Sequence, residues 1–274
     1  MKIGFLGFGE VASTLSEGLQ EHGATVTTCV EGRSAKTKEL AKKSGITLCN
    51  TNRELAEVSD ILISTVTPSQ TIKVAQKVGK YVNGIYVDIN NISPKTVKEA
   101  LSFIENRRTV DASIIGSIRK GLNVSVIASG DYAAQFAELN DYGMNITVIG
   151  DEIGQASAIK MFRSSFTKGI SALLFETLYS AYKMGIDEEV LKYIAETECE
   201  GFRDSSISRI ISSSVHAKRR GEEMNEVIGL LSKFTDPKMS IATEEFFISL
   251  YENIDDLENR PKNYKEVFKL IDKK

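Results

Sequence analysis

A short apolar run, Ile3-Gly4-Phe5-Leu6, leads directly into the turn Gly7-Phe8-Gly9-Glu10-Val11-Ala12. The spacing is G-x-G-x-x-A. Apolar residues at Val11, Leu15 and Leu19 follow with helical spacing, and Gly23 then acts as a C-terminal stop. Each small residue has a reason to be there. The first glycine permits a tight strand-to-helix turn, the second lets the main chain approach a pyrophosphate, and the alanine lets helix and strand pack closely. The helix start then turns unpaired N–H groups and the positive end of its dipole toward a phosphate. A β-branched run over residues 25–30 supplies the second strand that the motif requires about 20 residues on. Gly7, Phe8, Gly9, Glu10 and Val11 are therefore candidate dinucleotide contacts. The competing reading is a glycine turn in an α/β fold that holds another ligand.

The rest of the first half keeps the same alternation. Strand-like runs fall at residues 60–66, 84–88, 109–112, 124–129 and 146–149, with a charged helical segment at 35–43. Thr67-Pro68 reads as an N-cap followed by proline at the first helical position. Strands separated by helical patterns predict a Rossmann-type, doubly wound, mostly parallel sheet. Beyond Gly150 the pattern changes. Residues 159–184 read as one long helix, and 188–197, 206–211, 222–234 and 241–250 as further helices. The expected organisation is a dinucleotide-binding α/β domain over 1–152 and an all-α substrate and dimerisation domain over 153–274. The lysine-rich end, Asp272-Lys273-Lys274, reads as a solvated tail.

Composition closes off several classes. The 274 residues carry a formal net charge of -3, which offers no basic field to nucleic acid. Cys29, Cys49 and Cys199 are scattered and odd in number, against a disulfide framework or zinc site and in keeping with a reducing cytoplasm. No metal-ligand spacing appears. The apolar start is too short and glycine-rich for a signal peptide, and no uncharged apolar run approaches the about 18 residues of a membrane span. A cytoplasmic protein is expected.

The end of the second strand reads Val30-Glu31-Gly32-Arg33-Ser34. An acid here would bond the adenosine ribose hydroxyls of NAD, whereas arginine suits the 2′-phosphate of NADP. Glu31 stands where such an acid would sit, but Arg33 and Ser34 follow, with Lys36 and Lys38 close behind. A guanidinium binds two phosphate oxygens at once, so NADP is expected over NAD. A solvated surface charge is the plainer meaning of Arg33.

Four further segments, in order, extend the likeness. Thr65-Val66-Thr67-Pro68, Asp88-Ile89-Asn90-Asn91-Ile92-Ser93-Pro94, Asp111-Ala112-Ser113-Ile114-Ile115-Gly116-Ser117 and Gly154-Gln155-Ala156-Ser157-Ala158-Ile159-Lys160 follow the glycine turn. With it they resemble the β-hydroxyacid dehydrogenase and 6-phosphogluconate dehydrogenase superfamily, over about residues 1–170. The resemblance implies that Thr65, Val66 and Thr67 run beneath the cofactor. It implies Asn91 near the nicotinamide, Gly116 and Ser117 in the substrate loop, and Lys160 opening an interdomain helix. Phe202-Arg203, Ser208-Arg209, His216-Ala217-Lys218-Arg219-Arg220 and Glu222-Glu223-Met224 resemble an uncharacterised helical domain of some archaeal and bacterial members. In the wider family such domains pair two subunits, which implies a homodimer. Arg209, His216 or Arg219 would then face a partner's cleft, with no catalytic role assigned to them. The chain departs from the family at Ile115, Ser117, Ala156 and Ser164, all on substrate-facing segments.

Lys160 is the candidate acid/base. An ordinary lysine titrates near about 10.4, so a base role needs burial or a neighbouring positive charge to lower it. Ser164 and Thr167 lie one and two turns on, so the three share a helix face, and Ser164 joins Lys160 as a catalytic candidate. The competing reading of that stripe is a solvated helix face. Asn91 offers both donor and acceptor to nicotinamide or substrate; otherwise it caps a turn before Ser93-Pro94. Arg119, beside Lys120, is the candidate for an anionic substrate group, against a solvated basic loop. The expected function is NADP-dependent hydride transfer to or from a small hydroxy acid or related compound. An imine reductase and a non-catalytic NADP-binding sensor are the alternatives.

Overall fold

The structure, a computed structural model, describes residues 1–254 and 260–272. It divides into two compact units, Met1–Lys160 and Met161–Lys274.

Among the described residues, eight strands of the first unit form one sheet: β1 Lys2–Leu6, β2 Thr25–Cys29, β3 Thr47–Cys49, β4 Ile61–Ser64, β5 Ile85–Asp88, β6 Thr109–Ile115, β7 Ser125–Ser129 and β8 Asn145–Gly150. Their order is β3-β2-β1-β4-β5-β6-β7-β8. Strands β3 through β6 are parallel, β7 runs antiparallel to β6, and β8 is parallel to β7. The helices are α1 Glu10–Glu21, α2 Ala35–Lys43, α3 Asn52–Val58, α4 Thr71–Val78, α5 Pro94–Ser102 and α6 Ala133–Phe136. Successive residues of the central strands are buried on opposite faces. Phe5, Ile63 and Val87 enter one apolar cluster with Leu15 of α1, and Leu6, Leu62 and Tyr86 enter another with Val97 of α5. The sheet is thus covered on both sides, as the doubly wound expectation requires. Its order reverses between β1 and β4, the kind of switch point where such sheets open a ligand crevice.

Several boundaries differ from the sequence pattern. Strand β2 ends at Cys29 because the chain turns through Gly32 at φ 66°. Strand β4 is confined to Ile61–Ser64. Strand β6 continues to Ile115, because Ala112 to Ile115 find partners on the antiparallel β7. Three-residue β3 is too short to show a period, and it pairs along β2.

Helix α7, Gln155–Met184, carries the chain from the first unit into the second. There α8 Asp187–Thr197, α9 Phe202–Val215, α10 Ala217–Leu231, α11 Lys238–Asn253 and α12 Tyr264–Ile271 follow. Phe175, Leu178, Leu191, Ile210, Phe247 and Phe268 form their core, and the Phe175 and Phe268 rings meet edge-on at 5.4 Å. Asp272 is not part of a free tail: it accepts from Tyr179 Oη at 2.6 Å and Lys183 Nζ at 2.9 Å. Lys273 and Lys274, the rest of that segment, lie outside the described residues.

Candidate functional site

The turn after β1 is built around two glycines in different situations. Gly7 has φ 88°, and a Cβ there would stand 2.9 Å from the Thr65 carbonyl oxygen. Only glycine fits. Thr65 Oγ1 donates to the Gly7 carbonyl at 2.7 Å, and Thr65 N donates to the Leu6 carbonyl at 2.9 Å. The loop after β4 is thereby tied against the loop after β1, on either side of the switch point. Gly9 takes the N-cap position of α1, where no side chain caps the helix, and a Cβ on it would meet no atom within 4 Å. Open space and first-turn N–H groups therefore coincide, a cradle that a side chain would fill and a diphosphate suits. The Phe8 side chain is buried in the core, so this residue offers only main chain to a ligand. Glu10 is exposed, Val11 packs at the core margin, and Ala12 is fully buried.

After β2, Ser34 caps α2, accepting from Thr37 N at 3.3 Å, with its hydroxyl 3.1 Å from Thr37 Oγ1. Arg33 is half-buried beside this cap, and Glu31, Lys36 and Lys38 are exposed. The start of α2 holds no acidic residue. Thr67 takes the N-cap position of the single turn Pro68–Gln70 but makes no capping bond; its hydroxyl lies 3.5 Å from Ser69 Oγ.

A row of buried polar residues crosses the sheet where β4 and β5 end. Ser64 is opposite Asp88, Asp88 opposite Asp111, and Asp111 opposite Ser129. All four are buried, so each needs internal partners. Asp88 accepts from Asn90 N and Nδ2, both at 3.0 Å, and Asn90 Nδ2 also donates to Ser64 Oγ at 3.0 Å. Asp111 Oδ2 accepts from Gly154 N and Ser157 N, each at 3.0 Å, and its Oδ1 accepts from Ser157 Oγ at 2.7 Å. Ser129 Oγ accepts from Ala156 N at 3.2 Å. Strand residues thus cap the start of α7 from a distance. This anchorage keeps the helix start with the sheet, and the first compact unit runs to Lys160.

Burial pushes the Asp88 carboxyl up to about 7; its bonds to Asn90 oppose this, Asp111 adds to it, and the Lys160 cation opposes it. Burial likewise raises Asp111 against the pull of Ser157, Gly154 and Ser129. Lys160 is half-buried and within electrostatic reach of Asp88. Asn91 is half-buried, and its Oδ1 is a buried acceptor with no partner. Gly116 (φ 118°) and Ser117 are exposed beyond β6; Ser117 Oγ accepts from Arg119 N at 3.4 Å, and Arg119 is exposed. Because β1, β4, β5 and β6 are parallel, the loops of Gly7, Thr65, Asn91 and Gly116 stand at one end of the sheet. Ser164 belongs to the second unit, and its hydroxyl accepts from Lys168 Nζ at 3.2 Å.

The sequence pattern used Asp88 and Asp111 only as marks of resemblance. The signal for their role was a carboxylate set in an otherwise apolar strand. Lys168, a lysine inside a long helix, gave no such signal. Among the described residues no group of three or more His, Cys, Asp or Glu side chains could hold a metal ion, and no helix is long and apolar enough to cross a membrane.

Fold and site together define a Rossmann-type α/β domain followed by an all-helical domain. Residues 2–92 match the family described as NADP oxidoreductase coenzyme F420-dependent, and residues 181–250 match a domain of unknown function, DUF1932. A Methanothermus fervidus protein known as the uncharacterized 28.5 kDa protein in 7S RNA 5' region is 44% identical over 248 residues, 90% of this chain and 98% of its own. The solved structure of MTH1747, a conserved protein of unknown function reported to resemble 3-hydroxyacid dehydrogenases, is 48% identical. It covers 92% of this chain and 97% of its own, with a TM-score of 0.80. The chain belongs to the family of these two proteins. Mycobacterium tuberculosis 3-hydroxyisobutyrate dehydrogenase, solved with L-serine, shares the fold at a TM-score of 0.78 and 14% identity, over 98% of each chain.

Proposed function

We propose that this protein is an NADP-dependent oxidoreductase that moves a hydride between nicotinamide and a small hydroxy acid or related compound. The observation that carries the reading is the pair of glycines: Gly7 pressed against Thr65, and Gly9 open beside an uncapped helix start. That geometry suits a diphosphate bridge, and the matched family description names NADP. Arg33, with Lys36 and Lys38 at the start of α2, supports NADP over NAD.

When bound, the nicotinamide supplies or receives the hydride. The protein supplies position and a proton. Thr65, Val66 and Thr67 line the floor of the crevice. Asn91 turns an unpartnered carbonyl oxygen to a nicotinamide or substrate donor. Lys160 Nζ gives a proton to the substrate oxygen during reduction and takes the hydroxyl proton during oxidation. Asp88 stabilises the lysine cation from the sheet. Gly116, Ser117 and Arg119 receive the anionic end of the substrate.

Thermal-shift titration with NADP and NAD tests the binding half, since a ligand of the native state raises the melting temperature by mass action. A turnover screen over hydroxy acids, oxo acids and imines tests the chemistry. Lys160→Ala is expected to lower turnover about 10²- to 10⁴-fold while NADP affinity changes less than about twofold. Undiminished turnover would remove Lys160 from the mechanism. Turnover of imines alone would identify an imine reductase, and NADP binding without any turnover a sensor.

A further inference from the structure

Among the described residues, the helical unit gathers four cations around the Glu223 carboxylate. Lys168 on α7 is 7% exposed, and its Nζ lies 2.8 Å from Glu223 Oε2 on α10. Arg219 Nε stands 3.7 Å from the other oxygen, Oε1. Arg220 lies over the Phe247 ring at 5.5 Å and donates from Nη1 to Ser213 Oγ at 2.7 Å and from Nη2 to Ser212 Oγ at 2.9 Å. Arg209 on α9 donates from Nη1 to the carbonyl of Thr167, the neighbour of Lys168, at 3.1 Å. Among the described residues, Glu223 is the carboxylate that acts on Arg220, whereas Arg209 and Arg219 press on it with like charge. Burial lowers the Arg220 guanidinium to about 10 and lowers the Lys168 ammonium as well, with Glu223 opposing both shifts.

Lys168 is buried, Arg209 and Arg220 are half-buried and Arg219 stands exposed at the edge. Cations drawn together out of water repel one another unless a counter-charge is supplied, so a cluster of this kind marks a site more readily than a structural prop. We propose that Lys168, Arg209, Arg219 and Arg220, with the Ser212 hydroxyl, bind a doubly charged oxyanion: a phosphate monoester or a phosphonate. Guanidinium forks match such tetrahedral oxyanions, and a hydroxyl adds to their donor set. Among the described residues, four cations against the Glu223 carboxylate leave room for two negative charges, where a single carboxylate ligand would leave most of the excess unmet. The site is made by the helical unit alone, so it goes beyond the hydride-transfer reading and does not depend on it. The same chemistry is presented by a group on the substrate and by free phosphate.

Isothermal titration of the full chain at fixed ionic strength, with inorganic phosphate and with phosphonoacetate, tests the site. Both are expected to bind, and Arg220→Gln to weaken both about tenfold or more. Arg219→Gln is expected to weaken both by about threefold, and because Arg219 is exposed it keeps the test decisive should the Arg220 variant fail to fold. Repeating the titration with NADP at saturation is expected to leave both affinities unchanged, which separates this site from the nucleotide site and its failure from the failure of the NADP reading. Tighter phosphonoacetate assigns the site to a substrate carrying such a group; tighter inorganic phosphate assigns it to the free ion. The proposal is overturned if the wild type takes up neither probe at about 10 mM, or if the Arg220 and Arg219 variants bind both as the wild type does.

Discussion

Gly7 and Gly9 are two residues apart and answer to different forces. Gly7 is held by the fold: its backbone is left-handed and Thr65 fills the space where a side chain would go. Gly9 is extended at φ -106° and ψ -159°, a conformation alanine adopts freely, and nothing in the protein crowds it. Gly9→Ala is therefore expected to change unfolding free energy by less than about 0.5 kcal/mol while raising the NADP Kd about tenfold or more. Urea titration and calorimetric binding check the two halves, and unchanged affinity would mean the cradle holds no phosphate. Arg33 separates the two nicotinamide cofactors. Losing a charge-assisted bond of about 1.5 to 3 kcal/mol, Arg33→Ala should weaken NADP by about tenfold to a hundredfold and leave NAD within about twofold. Equal losses for the two cofactors would dissociate Arg33 from the 2′-phosphate.

At the level of elements, the informative join is between the strand ends and α7. The polar row Ser64, Asp88, Asp111, Ser129 crosses four neighbouring strands and ends at the N–H groups of the helix that bears Lys160. A carboxyl raised to about 7 has a pH signature. Between about pH 4 and 7 the native state keeps a proton on Asp88 that the unfolded chain releases. Stability is therefore fullest below the unfolded value, falls as pH rises through the window, and levels off above about 7. At about 1.36 kcal/mol per unit, the loss is on the order of 4 kcal/mol. Asp88→Asn keeps the shape and removes the titration. Urea unfolding at pH 5 and pH 8 should show the variant losing less stability than the wild type across that interval. Asp111, raised in the same direction, titrates in both proteins, so the comparison isolates Asp88. Parallel pH profiles would refute the assignment.

For the molecule as a whole, α7 buries Phe175 and Leu178 yet leaves a second apolar stripe exposed. Phe162, Phe166 and Leu173 fall within about 40° of one another at about 100° per residue, yet Phe166 is 68% and Leu173 63% exposed. The opposite face carries Ser164, Thr167, Lys168 and Ser171 beside the core residues Phe175 and Leu178, and Lys168 and Ser171 are buried. A helix in a lone chain buries its apolar stripe, and an exposed one marks a contact surface. We propose that a second copy of the chain covers it, the homodimer expected from the family resemblance. Light scattering should give twice the chain mass for the wild type and a shift toward the monomer for Phe166→Glu. A monomeric wild type at micromolar concentration would dismiss the dimer.

Local pattern carried much of this protein. The glycine turn, the alternation of strand and helix before Gly150 and the helical spacing beyond it are properties of neighbouring residues, readable because sterics and period act over a few positions. They announced the doubly wound sheet, the helical second half and the candidate dinucleotide loops. Folding alone placed Asp111, 46 residues from Ser157, at the foot of α7. It also gave the Ser164 hydroxyl to Lys168 and turned β7 against its neighbour. Those outcomes depend on register, burial and the meeting of segments distant along the chain. A linear pattern does not encode which buried charge will meet which partner, because that pairing exists only once the layers have packed.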